Sequence, residues 1–191
     1  MTALPADVAL LVIDLQPDFM PGGALACDQG DALVAPIAAL LAQRHYRTVV
    51  ATQDWHEDPG DHWSDNPDFV DSWPVHCEVG TEGAAFHPAV AEVAETFDAV
   101  FRKGRFEAAY SGFEGHLASD GDTSEGDTDP TMLATWLRDR GIDAVEVCGI
   151  ATDHCVRATV LDALKEGFKV RVLRAMCSPV DDKRGADALQ E

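Results

Sequence analysis

The sequence predicts an α/β fold, a three-layer αβα sandwich on a mainly parallel central sheet. Two observations carry this. Short apolar runs of strand character alternate with segments whose apolar residues recur at helical spacing, the pattern of βαβ units with helices on both sheet faces. Glycines also stand where helices should stop, at Gly141 and Gly167, as left-handed C-terminal caps do. A chain of 191 residues, 46% of them hydrophobic, can bury one substantial core. No linker or internal repeat divides it, so residues 1–191 are expected to form a single domain.

Taken in order, Val8–Asp14 reads as a strand, an apolar run closed by an acid. Asp31–His45 has helical periodicity and leads into a second strand, Arg47–Thr52. Residues 54–76 then form a loop rich in Pro, Gly and Asp, followed by a third strand at Asp98–Phe101. The run SDGDTSEGDTDP at 119–130 holds five acids and two glycines and reads as a solvated loop, with ligand spacing that does not fit an EF-hand. Helix Thr131–Arg140, strand Asp143–Gly149 and helix His154–Glu166 come next. In the last of these, Val156, Val160, Ala163 and Leu164 make one apolar stripe. Phe168–Leu173 is the fifth strand, and Asp181–Glu191 opens a helical pattern that ends without a cap.

Composition excludes several classes of function. Thirty-four acidic against fourteen basic residues give a net charge of −20, which repels nucleic acid and anionic membranes. No apolar run reaches 18 residues, so no membrane-spanning helix is expected. The first residues, MTALPADVALLVID, lack the basic region of a signal peptide. Cys27, Cys77, Cys148, Cys155 and Cys177 are odd in number and have no CxxC spacing, which suits reduced thiols in a cytoplasm. A monomer and a homo-oligomer are equally compatible with the sequence.

The loop DWHEDPGDHWSDNPDFVDSWPVH supplies Asp54, His56, His62 and His76. One carboxylate and three imidazoles suit a divalent transition metal such as Zn, Fe or Mn. In extended backbone Asp54 and His56 point the same way, and the turn Asp58-Pro59-Gly60-Asp61 can fold His62 back toward them. The spacing fits no standard zinc motif, so a polar loop with scattered histidines remains open on these residues alone.

A second group of polar residues falls at strand ends. Asp14 closes the first strand, Lys103 follows the third, and Cys155 follows the fourth in GIATDHCV. Parallel α/β sheets bind ligands beyond the carboxyl ends of their strands, so these residues should converge. Cys155 is expected in the first turn of a helix, where the dipole favours a thiolate and N–H groups can hold an oxyanion. Singly, a buried cysteine, a strand-end acid and a surface lysine are the more ordinary readings. His154 adjoins Cys155, but neighbours on a helix do not face each other. Asp14, partly desolvated, is therefore the better proton acceptor.

The segments VIDLQPDF, ATQDWHEDPGDHW, SWPVHC, GTEGAAFHP, FRKGRFEAAYSGFEG and GIATDHCVRAT resemble the nicotinamidase/pyrazinamidase family of isochorismatase-like cysteine hydrolases, from Val8 to about Pro179. The resemblance implies an isochorismatase-like hydrolase fold that converts nicotinamide to nicotinate and ammonia through a Cys155 thioester, and that also accepts pyrazinamide. It implies Cys155 as nucleophile, Asp14 as general base and acid, and Lys103 as the third catalytic member. Asp54, His56, His62 and His76 would hold one divalent ion that receives the ring nitrogen of the substrate. Phe19, Trp73, Tyr110, Ile150 and His154 would line the substrate pocket. The N–H groups of Ala151 and Cys155 would form the oxyanion hole, beside a cis Ile150–Ala151 bond. Trp55, Trp63 and the longer acidic loop 119–130 depart from the family pattern without touching the chemistry. Another small-amide hydrolase of the same superfamily is the competing reading.

Overall fold

A computed structural model describes residues 7–118 and 131–191, and the acidic segment 119–130 lies outside them. The strands are β1 (Val8–Ile13), β2 (Thr48–Asp54), β3 (Ala99–Lys103), β4 (His116–Leu117), β5 (Ala144–Ile150) and β6 (Lys169–Ser178). They form one sheet in the order β4-β3-β2-β1-β5-β6. Every neighbouring pair is parallel except β3 with β4. The α-helices are α1 (Gly30–Ala42), α2 (Pro88–Ala91), α3 (Leu133–Asp139), α4 (Arg157–Lys165) and α5 (Asp182–Ala188).

The alternation of side chains along β1 explains the layers. Leu10 and Val12 pack on one face with Leu33, Val34 and Ile37 of α1. Ala9, Leu11 and Ile13 pack on the other with Leu137 of α3 and Ala163 of α4. A central parallel strand is covered on both faces, which is why VALLVI is an unbroken apolar run rather than an alternating one. The described residues contain no helix long and apolar enough to cross a membrane.

Several bounds differ from the sequence expectations. Strands β2 and β3 continue past their apolar cores, so Asp54 and Lys103 are themselves strand residues and sit opposite each other in register. Their polar ends belong to a buried sheet edge, where ladder pairing holds residues that lack an apolar signal. Strand β4 and helix α2 were not expected, because two and four residues are too few to show a period. The helix expected from His154 begins as a π turn, Thr152–Val156, and becomes α-helical only at Arg157.

Strands β1 and β5 approach closely at Gly149, which pairs with Ile13 and has φ +120°. A Cβ there would lie 2.1 Å from the Ile13 carbonyl oxygen. Gly149→Ala should therefore destabilise the protein by roughly 2–3 kcal/mol, a loss of about 4–12 °C in Tm for a domain of this size. Thermal unfolding followed by circular dichroism checks this, and an unchanged Tm would show that the two strands can part.

Candidate active site

Asp14, Asp54 and Lys103 come from the carboxyl ends of three adjacent strands, and Cys155 from the turn after β5. Lys103 Nζ lies 2.9 Å from Asp14 Oδ2 and 3.5 Å from Cys155 Sγ, and it donates to Asp54 Oδ1. All four residues are buried. Residues separated widely in sequence thus form one cluster.

Backbone geometry aims these groups. Asp14 has φ +48° and leaves the ladder. Its N–H donates to Thr52 Oγ1 at 3.3 Å, and its Oδ1 accepts from the same hydroxyl at 2.6 Å. Two residues on, the fully buried Gln16 side chain clamps Asp54. Its Nε2 donates to the Asp54 carbonyl at 2.8 Å and its Oε1 accepts the Asp54 N–H at 2.8 Å. Neither Thr52 nor Gln16 was singled out from the sequence. A polar residue inside an apolar strand, as in TVVATQD, was the available signal. Cys155 lies in the π turn, where His154 and Val156 N–H both donate to the Ala151 carbonyl. Those bonds bypass the Cys155 N–H between them. The Ile150–Ala151 peptide is cis.

Burial favours the neutral form of every group in the cluster, and what faces each group decides the outcome. For Lys103, the Asp14 and Asp54 carboxylates outweigh burial and hold the ammonium well above its ordinary range. Asp54 is driven well below the usual carboxylate range, since the Lys103 ammonium, with His56 and His76 facing the same carboxylate, overcomes its burial. Burial dominates at Asp14 and raises its carboxyl, with Asp54 adding to the effect and Lys103 opposing it. At Cys155 burial, joined by the charges of Asp14 and Asp54, pushes the thiol well above its ordinary value despite Lys103. Burial and the two carboxylates thus oppose the thiolate that a helix start was expected to favour. The group rests as a thiol and needs a base.

Three imidazoles gather beside this cluster. His56, His62 and His76 can each offer a ligating atom, all within 4.8 Å of one another. Asp54 Oδ2 lies 3.7 Å from both His56 Nε2 and His76 Nε2. The loop is folded by its own bonds: His56 N–H donates to the Cys77 carbonyl, and Trp73 N–H donates to the His62 carbonyl. A short 3-10 turn, Gly60–His62, carries His62 inward. His56 Nδ1 donates to the Gly104 carbonyl, leaving a buried Nε2 without a partner. His62 Nδ1 is likewise buried and unpartnered. Burial and the neighbouring His56 and His76 push the His62 imidazole down to about 4, so it is neutral near pH 7. Buried imidazole nitrogens without hydrogen-bond partners, next to a carboxylate, fit a divalent transition metal. His45, His87 and His116 lie elsewhere, with His87 capping α2 and His45 bonded to Gln43.

Between the cysteine and the imidazoles runs a cleft lined by Phe19, Trp73, Tyr110, Ala151, His154 and Cys155, with Leu25 and Val180. Trp73 Nε1 donates to the Tyr110 hydroxyl at 3.0 Å. The His154 ring stacks on Tyr110 with centroids 5.9 Å apart. Ile150, expected in the pocket, does not line it. Its side chain continues the alternation of β5 into the core beside α1, and Ala151 lines the cleft in its place. Leu25 and Val180 had no motif to betray them.

Compared with known proteins, residues 8–191 match the Isochorismatase domain. The chain belongs to the isochorismatase family. Among family relatives, the nicotinamidase/pyrazinamidase of Mycobacterium tuberculosis is 47% identical over 184 residues, covering 96% of this chain and 92% of that protein. Two solved structures are similar throughout. PnC1 from L. infantum in complex with nicotinate has a TM-score of 0.80 at 34% identity, covering 100% of this chain and 90% of that one. The pyrazinamidase of Pyrococcus horikoshii in complex with zinc has a TM-score of 0.75 at 35% identity, covering 96% and 93%.

Gly104 (φ +77°) sets how near the β3 turn comes to the candidate metal site. A Cβ on it would fall 2.4 Å from His56 Cε1 and 2.8 Å from Nδ1. Gly104→Ala should displace that ring and lower affinity for a divalent metal by about 10–100-fold, the usual effect of disturbing a ligand's support. Competition titration with a chromogenic chelator measures it, and wild-type affinity in the variant would remove His56 from the ligand set.

Proposed function

We propose that this protein is a nicotinamidase, a cysteine amidohydrolase that converts nicotinamide to nicotinate and ammonia and also accepts pyrazinamide. The observation that carries the reading is the Lys103 ammonium, which joins Asp14, Asp54 and Cys155 in one buried cluster. That cluster adjoins both an aromatic cleft and three imidazoles. The names and bound nicotinate of the family relatives point to the same substrate.

In the proposed reaction, Asp14 takes the proton of Cys155 as Sγ attacks the amide carbon. The developing oxyanion accepts hydrogen bonds from the N–H groups of Ala151 and Cys155, worth roughly 3–4 kcal/mol for such a donor. Asp14 then passes its proton to the departing ammonia, leaving a thioester on Cys155. A water that gives its proton to Asp14 attacks the thioester carbon, the carbon–sulfur bond breaks to release nicotinate, and Asp14 returns the proton to the departing Cys155 sulfur. Lys103 stays an ammonium throughout and offsets the negative charge that moves between Asp14 and the sulfur. Phe19 and Trp73 hold the ring from its two faces, with Tyr110 and His154 closing the wall.

Asp54, His56, His62 and His76 would hold one divalent ion, with Zn, Fe and Mn all suited to these donors. When bound, the ion supplies a Lewis-acid site for the pyridine nitrogen, which fixes the orientation of the ring. Five thiols without a disulfide fit a reducing compartment such as the cytoplasm. The competing reading within the family is hydrolysis of a different small amide, which the ring-binding cleft disfavours.

Two measurements test this. Cys155→Ala should abolish ammonia release from nicotinamide while leaving metal content and the circular dichroism spectrum unchanged. Appreciable remaining turnover would end the covalent mechanism. Benzamide, which has the same shape without a ring nitrogen, should show a kcat/KM lower by about 100-fold or more, because small losses of orientation are costly. Equal values for benzamide and nicotinamide would mean that the ring nitrogen is not read.

A further inference from the structure

Thr52 lies one strand away from Asp14 and two residues before Asp54, yet no step above uses it. Its side chain is fully buried on β2. The hydroxyl is bound from two sides by one residue: it accepts the Asp14 N–H at 3.3 Å and donates to Asp14 Oδ1 at 2.6 Å. The N–H in question leaves the ladder where β1 ends, so Thr52 supplies the acceptor that a strand neighbour would have supplied. With a lone pair engaged by that N–H, the hydroxyl proton is directed at the carboxylate. The methyl group lies close to Gly112, where an added Cβ would fall 2.9 Å from Thr52 Cγ2. Gly112 is itself held, its N–H donating at 2.9 Å to Thr159 Oγ1 on α4.

The two oxygens of Asp14 therefore have different partners. Oδ1 is taken by Thr52, and Oδ2 faces the Lys103 ammonium at 2.9 Å. Asp14, Asp54 and Cys155 can bring ligating atoms within 4.8 Å of one another, so Asp14 is within reach of the thiol. We propose that Thr52 is the positioning residue of the reaction, fixing the Asp14 carboxylate so that Oδ2 receives the Cys155 proton. The inference rests on Asp14 acting as the base of the amidase reaction.

The test compares Thr52→Val, which keeps the shape and removes the hydroxyl, with Thr52→Ser, which keeps the hydroxyl and removes the methyl. Thr52→Val should lower kcat on nicotinamide by roughly 10–100-fold, the scale of a misplaced reacting group, with KM within about twofold of wild type. Thr52→Ser should stay near wild type in both. Equal losses in the two variants, or wild-type kcat in Thr52→Val, would overturn the proposal, because packing or nothing would then be at stake. Should Thr52→Val fail to fold, Thr52→Ser against Thr52→Ala decides: higher kcat in the serine variant supports the proposal, and equal kcat overturns it. Alkylation of Cys155 by iodoacetamide separates this from the substrate reading. There a sulfur–carbon bond forms, iodide leaves, and the thiol proton passes to Asp14. A wild type inert on nicotinamide would sink the substrate assignment alone. Slower Cys155 alkylation in Thr52→Val than in Thr52→Ser would still uphold the role of Thr52, and equal rates would refute it.

Discussion

A single buried ammonium organises this molecule's polar interior. Lys103 is enclosed by the sheet and meets two carboxylates and a thiol. Two buried carboxylates side by side would repel each other and drive at least one to take up a proton. With the ammonium between them Asp54 stays charged and Asp14 can remain close to it. Breaking such a buried pair costs about 3–5 kcal/mol, mostly by leaving a charge uncompensated. The positions of β1, β2 and β3 relative to one another are thus tied to the site, and the site to them.

Asp54 joins two assemblies that could have been separate. One carboxylate oxygen accepts from Lys103, and the other lies 3.7 Å from the His56 and His76 Nε2 atoms. Gln16 pins its backbone on both sides, so the carboxylate has little freedom to choose between its neighbours. The cysteine cluster and the imidazole cluster consequently share a rigid member.

Much of this was legible in the sequence, for identifiable reasons. The sheet was readable because its central strands are unbroken apolar runs. Asp14, Lys103 and Cys155 could be brought together because topology sends the ends of parallel strands to one edge. The loop histidines advertised themselves by residue type. What escaped notice had no period or no chemical rarity. Strand β4 is two residues long, and Thr52 and Gln16 are common polar residues whose importance lies in the partner across the strand. The π turn escaped because Thr152–Val156 has the composition of an ordinary helix start. Ile150 was placed by resemblance in the cleft, whereas the alternation of β5 sends its side chain into the core.

The state of Cys155 also bears on how the protein endures. Oxidants such as peroxide attack thiolates far faster than thiols, and exposed sulfur faster than enclosed sulfur. A sulfur that is buried and held as a thiol by its surroundings offers neither opening. Its nucleophilicity is withheld until an electrophile sits in the cleft and a base removes the proton. A resting Cys155 that depends on Asp14 for its deprotonation should therefore be oxidised more slowly than an exposed thiolate would be.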